Sequence, residues 1–273
     1  MPTEYFEQRE RALLGQRYEQ LYAALQQTAE RGVTVSALRT TPEQFAQRAD
    51  FPLEPSPFCK AAFVVHQPDF KPGRHPYHHA GVFYSQEPSA SSAAPLLGVQ
   101  PGMRVLDLCA GSGCVGLAVA ANVPGCRVVL ADVSEAALRL CKQNVRRNEL
   151  NARVTCVQAD ALEPPDAALW DFDVIACNPP YIPTGDIAGL DVSVRDYEPR
   201  SALDGGADGL DFYRAIAARW GAALRLGGAL LFEVGIGQAG DVGAILAQNQ
   251  FEQIQTFQDT QGIGRVVEGV LNS

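Results

Sequence analysis

The sequence has no long hydrophobic run and no recognisable targeting segment. None of its apolar stretches approaches the length of a membrane span, and residues 1–7 lack a basic stretch followed by an apolar core. Its seven cysteines include no Cys-x-x-Cys pair, which excludes a redox motif of that kind and indicates reduced thiols. We therefore expect a cytoplasmic protein without a membrane partner, whose cysteines are buried packing residues.

Histidine is scarce and confined to one stretch. All four histidines lie between residues 66 and 79, and the spacing His75-x-x-His78-His79 resembles a set of metal ligands. A metal site of this kind needs a further acidic or cysteine ligand at suitable spacing, and the stretch offers none on a helical repeat. We expect no metal site.

A basic excess is also missing. The chain has 22 Lys and Arg against 31 Asp and Glu, and neither the first 95 residues nor the remainder has more basic than acidic residues. Proteins that bind naked nucleic acid usually present a basic face. The charge therefore favours a protein or small-molecule acceptor, although Arg146-Arg147 leaves a local basic patch open.

Periodicity and proline content divide the chain into two predicted domains, residues 1–95 and residues 96–273. In the first, apolar spacing predicts an amphipathic helix over about 4–31 and a short strand over 33–39. Thr41-Pro42 predicts the start of a helix over 43–48, because threonine caps a helix and proline suits its first position. We interpret this part as a small α+β or helical domain that recognises the acceptor.

Residues 51–95 are rich in proline and carry no clear periodicity. Their many aromatic residues need burial, so we expect an irregular folded region instead of a disordered linker. The segment Gly81–Ser89 lies shortly before the glycine turn described next. It is either a lid over the site or apolar packing at a domain junction, and the sequence does not choose between them.

Strands and helices alternate from residue 103 onward, which predicts a Rossmann-like α/β domain with a parallel sheet and helices on both faces. Four strands and two helices are predicted at the start of this domain. The strands cover Met103–Leu108, Arg127–Asp132, Val154–Asp160 and Asp173–Cys177, and the helices cover Cys114–Val123 and Ser134–Asn148.

The first strand leads into a glycine turn. Gly111-Ser-Gly113-Cys-Val-Gly116 fits the dinucleotide pattern G-x-G-x-x-G, and Asp132 follows at the distance expected for a ribose-binding acid. Asp107 argues against a dinucleotide, because a carboxylate at the strand end would repel pyrophosphate. It suits the ammonium group of S-adenosyl-L-methionine (SAM). The alternative is that Asp107 only caps the turn.

Two further acids end the second and third strands. The Asp132 carboxylate is suited to accept both ribose hydroxyls, and Asp160 with Ala161 is suited to accept from the adenine amino group. Capping a helix or a turn is the alternative role for each aspartate. The predicted SAM-binding residues are Asp107, Cys109, Ala110, Gly111, Gly113, Asp132, Val133, Asp160, Ala161 and Asn178.

The fourth strand runs directly into Asn178-Pro179-Pro180-Tyr181. The prolines fix the backbone and donate no hydrogen bond, so the carbonyls of Asn178 and Pro179 can point outward without a partner. The Asn178 side-chain oxygen and one of these carbonyls give two acceptors for an NH2 group, and Tyr181 offers a flat face on which a planar amide or base can stack. We predict these four residues to be catalytic, acting on a primary amide or an exocyclic amine, although a rigid turn would give the same tetrapeptide.

Several further motifs identify a family resemblance over residues 103–271. Together with Asn-Pro-Pro-Tyr, they resemble the SAM-dependent N-methyltransferases, and more narrowly the release-factor glutamine methyltransferases of the HemK/PrmC type. The resemblance implies a seven-stranded sheet with an antiparallel last strand over about 264–271, and a Gly-Gly-Gln loop of a release factor as partner. The motifs are Glu198-Pro-x-x-Ala-Leu-Asp-Gly-Gly-x-Asp-Gly-Leu-Asp-Phe-Tyr-Arg214, Gly227-Gly-x-Leu-x-x-Glu233-x-Gly235-x-x-Gln238 and Gly264-Arg265-Val-Val-x-Gly269.

The amino-terminal third departs from that family. It lacks the family's Pro-Arg-Pro-Glu-Thr-Glu loop, and Leu38–Glu43 and Pro72–Ser89 resemble instead the segment before the catalytic core of RNA cytosine-5 methyltransferases. Those enzymes attack carbon through a cysteine in a Pro-Cys motif, which this chain replaces by Asn-Pro-Pro-Tyr. Three hypotheses follow: glutamine methylation of a release factor, methylation of an exocyclic amine in RNA, or SAM binding without turnover.

Overall fold

The computed structural model describes residue 11 and residues 31–36, 39–56, 59–67, 70–71, 75–85, 96–190, 192–259 and 262–272. The predicted helix over 4–31 therefore lies almost wholly outside the described residues. The chain divides into two compact units, with Gln16–Gly98 in one and Val99–Ser273 in the other. None of the described helices is long and apolar enough to cross a membrane.

The amino-terminal unit contains a four-stranded antiparallel sheet of order β2-β3-β1-β4. Thr41 caps helix α1 as predicted, with its side chain accepting from Gln44 N and Pro42 in the first turn. The predicted strand over 33–39 is shifted, because pairing with β3 begins at Arg31 and ends at Thr34. The elements are β1 (Arg31–Val35), α1 (Pro42–Arg48), β2 (Leu53–Pro55), β3 (Ala62–Val65), α2 (Pro76–His79) and β4 (Phe83–Ser85).

Aromatic rings fill the core of this unit. Phe63, Phe70 and Phe83 are buried, which agrees with the prediction that residues 51–95 are folded, but the described part of this range is not irregular, because it contains strands β2, β3 and β4 and helix α2. His75 packs among these rings and has structural partners: its Nδ1 accepts from Tyr77 N at 3.1 Å and its Nε2 lies 3.2 Å from Asp50 Oδ1. Within the described residues, no three His, Cys, Asp or Glu side chains are grouped to hold a metal ion.

The carboxy-terminal unit alternates strands and helices as predicted, and the predicted strand and helix bounds agree within two residues. Its strands are β5 (Arg104–Leu108), β6 (Arg127–Asp132), β7 (Val154–Gln158), β8 (Phe172–Cys177), β9 (Leu224–Glu233), β10 (Phe251–Gln258) and β11 (Gly264–Leu271). Its α-helices are α3 (Cys114–Asn122), α4 (Glu135–Arg147), α5 (Val192–Arg195), α6 (Asp211–Arg219) and α7 (Ala239–Gln248), and 3₁₀ turns cover Thr184–Gly189, Arg200–Ala202 and Trp220–Ala223.

The seven strands form one sheet of order β10-β11-β9-β8-β5-β6-β7. Strands β9, β8, β5, β6 and β7 are mutually parallel, and β11 is antiparallel to both β9 and β10. This confirms the seven-stranded sheet and the antiparallel last strand over 264–271. Every residue of β8 is buried, as expected of a central strand covered on both faces.

The cysteines differ in part from the expectation. All seven are free, and Cys126, Cys141 and Cys177 are buried as predicted. Cys114, however, is exposed, because it is the first residue of helix α3 and its thiol meets Ser112 Oγ at 2.8 Å instead of the core. Cys59, Cys109 and Cys156 are only partly buried, so the expectation of buried thiols holds for three of the seven cysteines.

Candidate functional site

The predicted site residues lie at one edge of the seven-stranded sheet. Leu108, the last residue of β5, pairs with Ala131 of β6 and Cys177 of β8. The glycine turn, Asp132 and Asn178 follow these three positions directly, so parallel pairing places them at neighbouring strand ends. Ligands of open α/β sheets bind outside the carboxyl ends of the strands.

The three glycines of the turn occupy three different structural environments. Gly111 has a φ of 55°, and a Cβ there would meet nothing within 4 Å, so this part of the turn is open to a ligand. Gly113 has a φ of 82° and precedes helix α3. At Gly116 a Cβ would overlap Leu130 and lie 2.9 Å from Val128 Cγ1, so this glycine lets α3 pack closely on β6.

Asp107 is buried beside the turn and is only 4% exposed. Its Oδ2 accepts a hydrogen bond from Gly116 N at 2.8 Å. Burial raises the pKa of this carboxyl from 3.8 to about 7; the hydrogen bond from Gly116 opposes the change and the charge of Asp132 adds to it. The turn-capping role considered from the sequence is therefore present, and it leaves a carboxyl that titrates near neutral pH.

The raised pKa of Asp107 predicts a pH-dependent stability. Between pH 4 and 7 the folded protein retains a proton that the unfolded chain has released, so the free energy of unfolding falls as pH rises. Relative to Asp107→Asn, we expect wild type to lose on the order of 3 kcal/mol across this interval and to remain level above it. Urea unfolding of both proteins at a series of pH values measures the difference between their free energies of unfolding. If this difference did not change with pH, the raised pKa would be contradicted.

Asp132 ties the end of β6 to the glycine turn. Its Oδ2 accepts from Gly111 N at 2.8 Å and its Oδ1 accepts from Ser134 N at 2.8 Å, while Ser134 caps helix α4. The backbone N–H groups of Gly111 and Gly116 are thus occupied by protein carboxylates. Neither of these two N–H groups is therefore free to donate to a ligand. An anion such as pyrophosphate would compete with both carboxylates.

The remaining residues that the sequence predicts to bind SAM lie at or just beyond the ends of the same set of parallel strands. Asp160 is exposed and its Oδ1 accepts from Leu162 N at 2.9 Å, which is the turn role considered as its alternative. Ala161 is buried and its carbonyl accepts from Trp220 Nε1 at 3.1 Å. Val133 is 53% exposed, and Ala110 is buried.

Cys109 has an unusual backbone. Its φ of 59° lies in the left-handed region, which costs a non-glycine residue conformational energy and is common at functional sites. The thiol lies beside that of Cys177, whose pKa is raised by burial and by this neighbour. No sequence signal revealed this backbone, because cysteine is not a turn residue.

Asn178 is exposed at the end of β8, whereas Pro179 and Pro180 are buried. Within the described part of the chain, the Asn178 side chain and the Pro179 carbonyl have no hydrogen-bond partner. The Tyr181 side chain is half-buried, and burial together with the Glu233 charge raises the pKa of its phenol. The bend therefore has a fixed interior and an exposed asparagine with free hydrogen-bonding capacity.

The motif over residues 198–214 packs against this bend and hydrogen-bonds to the residue that follows it. Ile182 N donates to Leu203 O at 3.0 Å, and Gly205 N donates to Ile182 O at 2.8 Å. Gly205 approaches so closely that a Cβ there would lie 2.8 Å from both Pro180 O and Tyr181 Cα. The sequence identified this motif by resemblance alone; its density of glycines was the signal of close backbone packing.

The Gln238 side chain makes further polar contacts at the bend. The sequence showed Gln238 only as the last residue of the 227–238 motif and indicated no role for it. It hydrogen-bonds Tyr181 O at 2.9 Å and Gly235 N at 2.9 Å. Tyr213, from the 198–214 motif, is buried and its hydroxyl donates to Glu233 O at 2.9 Å. The motifs over residues 198–214 and 227–238 thus meet next to the Asn-Pro-Pro-Tyr bend.

Two family descriptions match the chain. Residues 1–88 match the N-terminal domain of 16S rRNA methyltransferase RsmF, and residues 75–190 match the methyltransferase small domain. Curated relatives include release factor glutamine methyltransferases from Geobacter sulfurreducens and Clostridium acetobutylicum. The first is 46% identical over 60% of this chain and 57% of the relative, and the second 40% identical over 61% and 59%. The match thus spans less than two thirds of each relative's length.

Solved structures share the fold across nearly the whole chain. A methyltransferase homologue from Pyrococcus horikoshii is 16% identical with a TM-score of 0.64, covering 98% of this chain and 94% of its own. NSun6 from Pyrococcus horikoshii, solved with SFG, is 12% identical with a TM-score of 0.69, covering 99% and 98%. The resemblances stated for both parts of the sequence are confirmed: residues 75–190 match the methyltransferase small domain, residues 1–88 match the N-terminal domain of RsmF, and the Rossmann-like fold is shared with a solved methyltransferase homologue.

Proposed function

We propose that the chain is a SAM-dependent methyltransferase that transfers a methyl group to the side-chain amide of a glutamine. The observation that carries the proposal is the exposed Asn178 at the end of β8, one strand from the glycine turn. A donor site and an acceptor site at adjacent strand ends allow direct transfer from one ligand to the other.

The described residues fit SAM better than a dinucleotide. Asp107 and Asp132 already occupy two N–H groups of the glycine turn, which disfavours pyrophosphate. Asp107 is placed to attract an ammonium group, and a nearby cation would lower its pKa and keep it ionised. Each Asp132 oxygen retains a lone pair for a ribose hydroxyl, and the open face at Gly111 leaves room for the ligand.

The acceptor chemistry follows from the bend. An amide nitrogen is a weak nucleophile, because its lone pair is delocalised into the carbonyl. The Asn178 side-chain oxygen and the Pro179 carbonyl would each accept one hydrogen of the NH2 group and orient the nitrogen toward the methyl group that SAM supplies. Most of the rate acceleration then comes from orientation, for which about 7–11 kcal/mol is available in well-aligned cases, and from dipoles placed in advance.

We propose a peptide chain release factor, bound through its Gly-Gly-Gln loop, as the acceptor. The relatives that match 60–61% of this chain are named release factor glutamine methyltransferases. The excess of acidic over basic residues in this chain also favours a protein acceptor over naked RNA. In this proposal residues 1–95 recognise the acceptor.

RNA is the second candidate acceptor, favoured by the match of residues 1–88 to an rRNA methyltransferase domain. Its target would be an exocyclic amine of adenine or guanine, which presents the same NH2 group to Asn178. The segment Gly81–Ser89, considered from the sequence as a lid, lies partly outside the described residues, which in this stretch end at residue 85.

Incubation with SAM labelled in its methyl group separates the candidates. We expect label in a purified release factor and none in a variant whose Gly-Gly-Gln glutamine is replaced by alanine. Label in RNA instead would support the second candidate. Tight SAM binding without transfer to either acceptor would support a binding protein without turnover and contradict both enzymatic proposals.

A further inference from the structure

The Gln238 side chain joins three separate segments near the proposed acceptor site. Its Nε2 donates to Tyr181 O at 2.9 Å and to Gly209 O at 3.3 Å, and its Oε1 accepts from Gly235 N at 2.9 Å. Both N–H groups and the oxygen of this amide are therefore in use. One half-buried side chain connects the bend after β8, the loop before helix α6 and the loop after β9.

The two loops approach this amide so closely that side chains are excluded. At Gly209, whose φ is 76°, a Cβ would overlap Tyr181 O and lie 2.8 Å from Gln238 Nε2. At Gly235 a Cβ would lie 2.7 Å from Gln238 Oε1 and 3.1 Å from Tyr181 Cδ2. Glycine is thus required at Gly209, and a side chain at Gly235 would displace Gln238 or Tyr181.

The bend needs an external support of this kind. Pro179 and Pro180 lack N–H groups, so neither can be held by donating to the neighbouring strands. The first hydrogen bond after Asn178 that fixes the backbone is at Tyr181, three residues later, whose carbonyl accepts from Gln238. The second is at Ile182, whose N–H donates to Leu203 O at 3.0 Å. Movement at Tyr181 would pass directly to Asn178 through the rigid prolines.

We propose that Gln238 is a positioning residue for methyl transfer, which sets the orientation of Asn178 through the Tyr181 carbonyl. The inference rests on the proposed function of Asn178. Gln238 makes no contact with the residues assigned to the donor among the described hydrogen bonds, so its loss should leave SAM affinity unchanged and reduce kcat.

Gln238→Met tests this, because methionine has a similar length and forms none of the three hydrogen bonds. We expect kcat to fall about 10-fold to 100-fold, since small misplacements of reacting groups have effects of this size. The KM for the acceptor and the Kd for SAM should stay within about twofold. Gln248→Met, at an exposed position at the other end of the helix α7 that Gln238 precedes, is the matched control and should retain wild-type kcat.

Gln238→Glu adds a readout that general destabilisation would not give. An ionised glutamate still accepts from Gly235 N, but it faces the carbonyls of Tyr181 and Gly209 with lone pairs. A protonated glutamate can donate to one of them. The activity of Gln238→Glu relative to wild type should therefore rise as pH falls, whereas that of Gln238→Met relative to wild type should not change with pH.

Amide hydrogen exchange separates failure of this inference from failure of the proposed function. In Gln238→Met we expect faster exchange at the N–H groups of Ile182, Thr184 and Gly205, with no change in β5 and β6. Faster exchange with normal kcat would overturn the positioning role, as would unchanged exchange. If wild type methylates no acceptor, the proposed function fails, and exchange still decides whether Gln238 holds the bend.

Discussion

Asn178→Ala is expected to reduce methyl transfer by at least about 100-fold while leaving SAM affinity nearly unchanged. The substitution removes the side-chain oxygen that would hold one hydrogen of the acceptor NH2 group. Asn178 is exposed, and its side chain forms no hydrogen bond within the described part of the chain, so stability should change little. Single-turnover transfer to the release factor and equilibrium dialysis with labelled SAM measure the two quantities.

Asn151→Ala is the matched control for this prediction. Asn151 is also exposed, but it precedes β7 at the opposite end of the sheet from the candidate site. Its replacement should leave both transfer and SAM binding at wild-type levels. Comparable turnover of Asn178→Ala and wild type with the true acceptor would contradict the assignment of Asn178. If SAM affinity fell together with transfer, Asn178 would be a SAM-binding residue without the proposed role in holding the acceptor.

Gly116→Ala is expected to destabilise the protein by about 1–3 kcal/mol, because overpacking a tight contact has a cost of this size. The added methyl group would overlap Leu130 and lie 2.9 Å from Val128 Cγ1 and 3.1 Å from Asp107 Cβ. Leu130 and Val128 are core residues of β6 with little room to move. Movement of helix α3 would also break the hydrogen bond between Gly116 N and Asp107, so SAM affinity should fall as well.

Gly243→Ala separates this effect from the general effect of alanine in a helix. A Cβ at Gly243, within helix α7, would meet only Ile254 Cγ2 at 3.5 Å, which is an ordinary contact. Alanine should therefore stabilise this helix by about 0.5–1 kcal/mol. Urea unfolding compares the two variants. Equal changes in the free energy of unfolding would show that α3 and β6 are not packed as tightly as described.

Local patterns predicted much of the methyltransferase unit. Arg127–Asp132 is a strand with the predicted bounds, and Ser134 caps helix α4 as expected. Thr41-Pro42 likewise begins a helix in the amino-terminal unit. These signals succeed because strand periodicity, capping and proline geometry act over a few residues. The strand predicted over 33–39 was displaced because its ends depend on pairing with a distant strand.

The roles of the polar residues depended on contacts that are distant in sequence. Asp107 and Asp132 were identified as site residues from their positions at strand ends. Their bonds to Gly116 and Gly111, and the raised pKa of Asp107, follow from burial and from the close approach of helix α3. Gln238 lies 57 residues from Tyr181, whose carbonyl it contacts, and no local pattern links the two.

The sequence by itself determined the first four strands and first two helices of the carboxy-terminal unit, the glycine turn and the Asn-Pro-Pro-Tyr bend, because each depends on the conformational preferences of neighbouring residues. The tertiary structure decided which N–H groups the carboxylates occupy, which backbone conformation Cys109 adopts and what holds the bend in place. Those features arise from parallel pairing and close packing, which bring together groups that lie far apart along the chain.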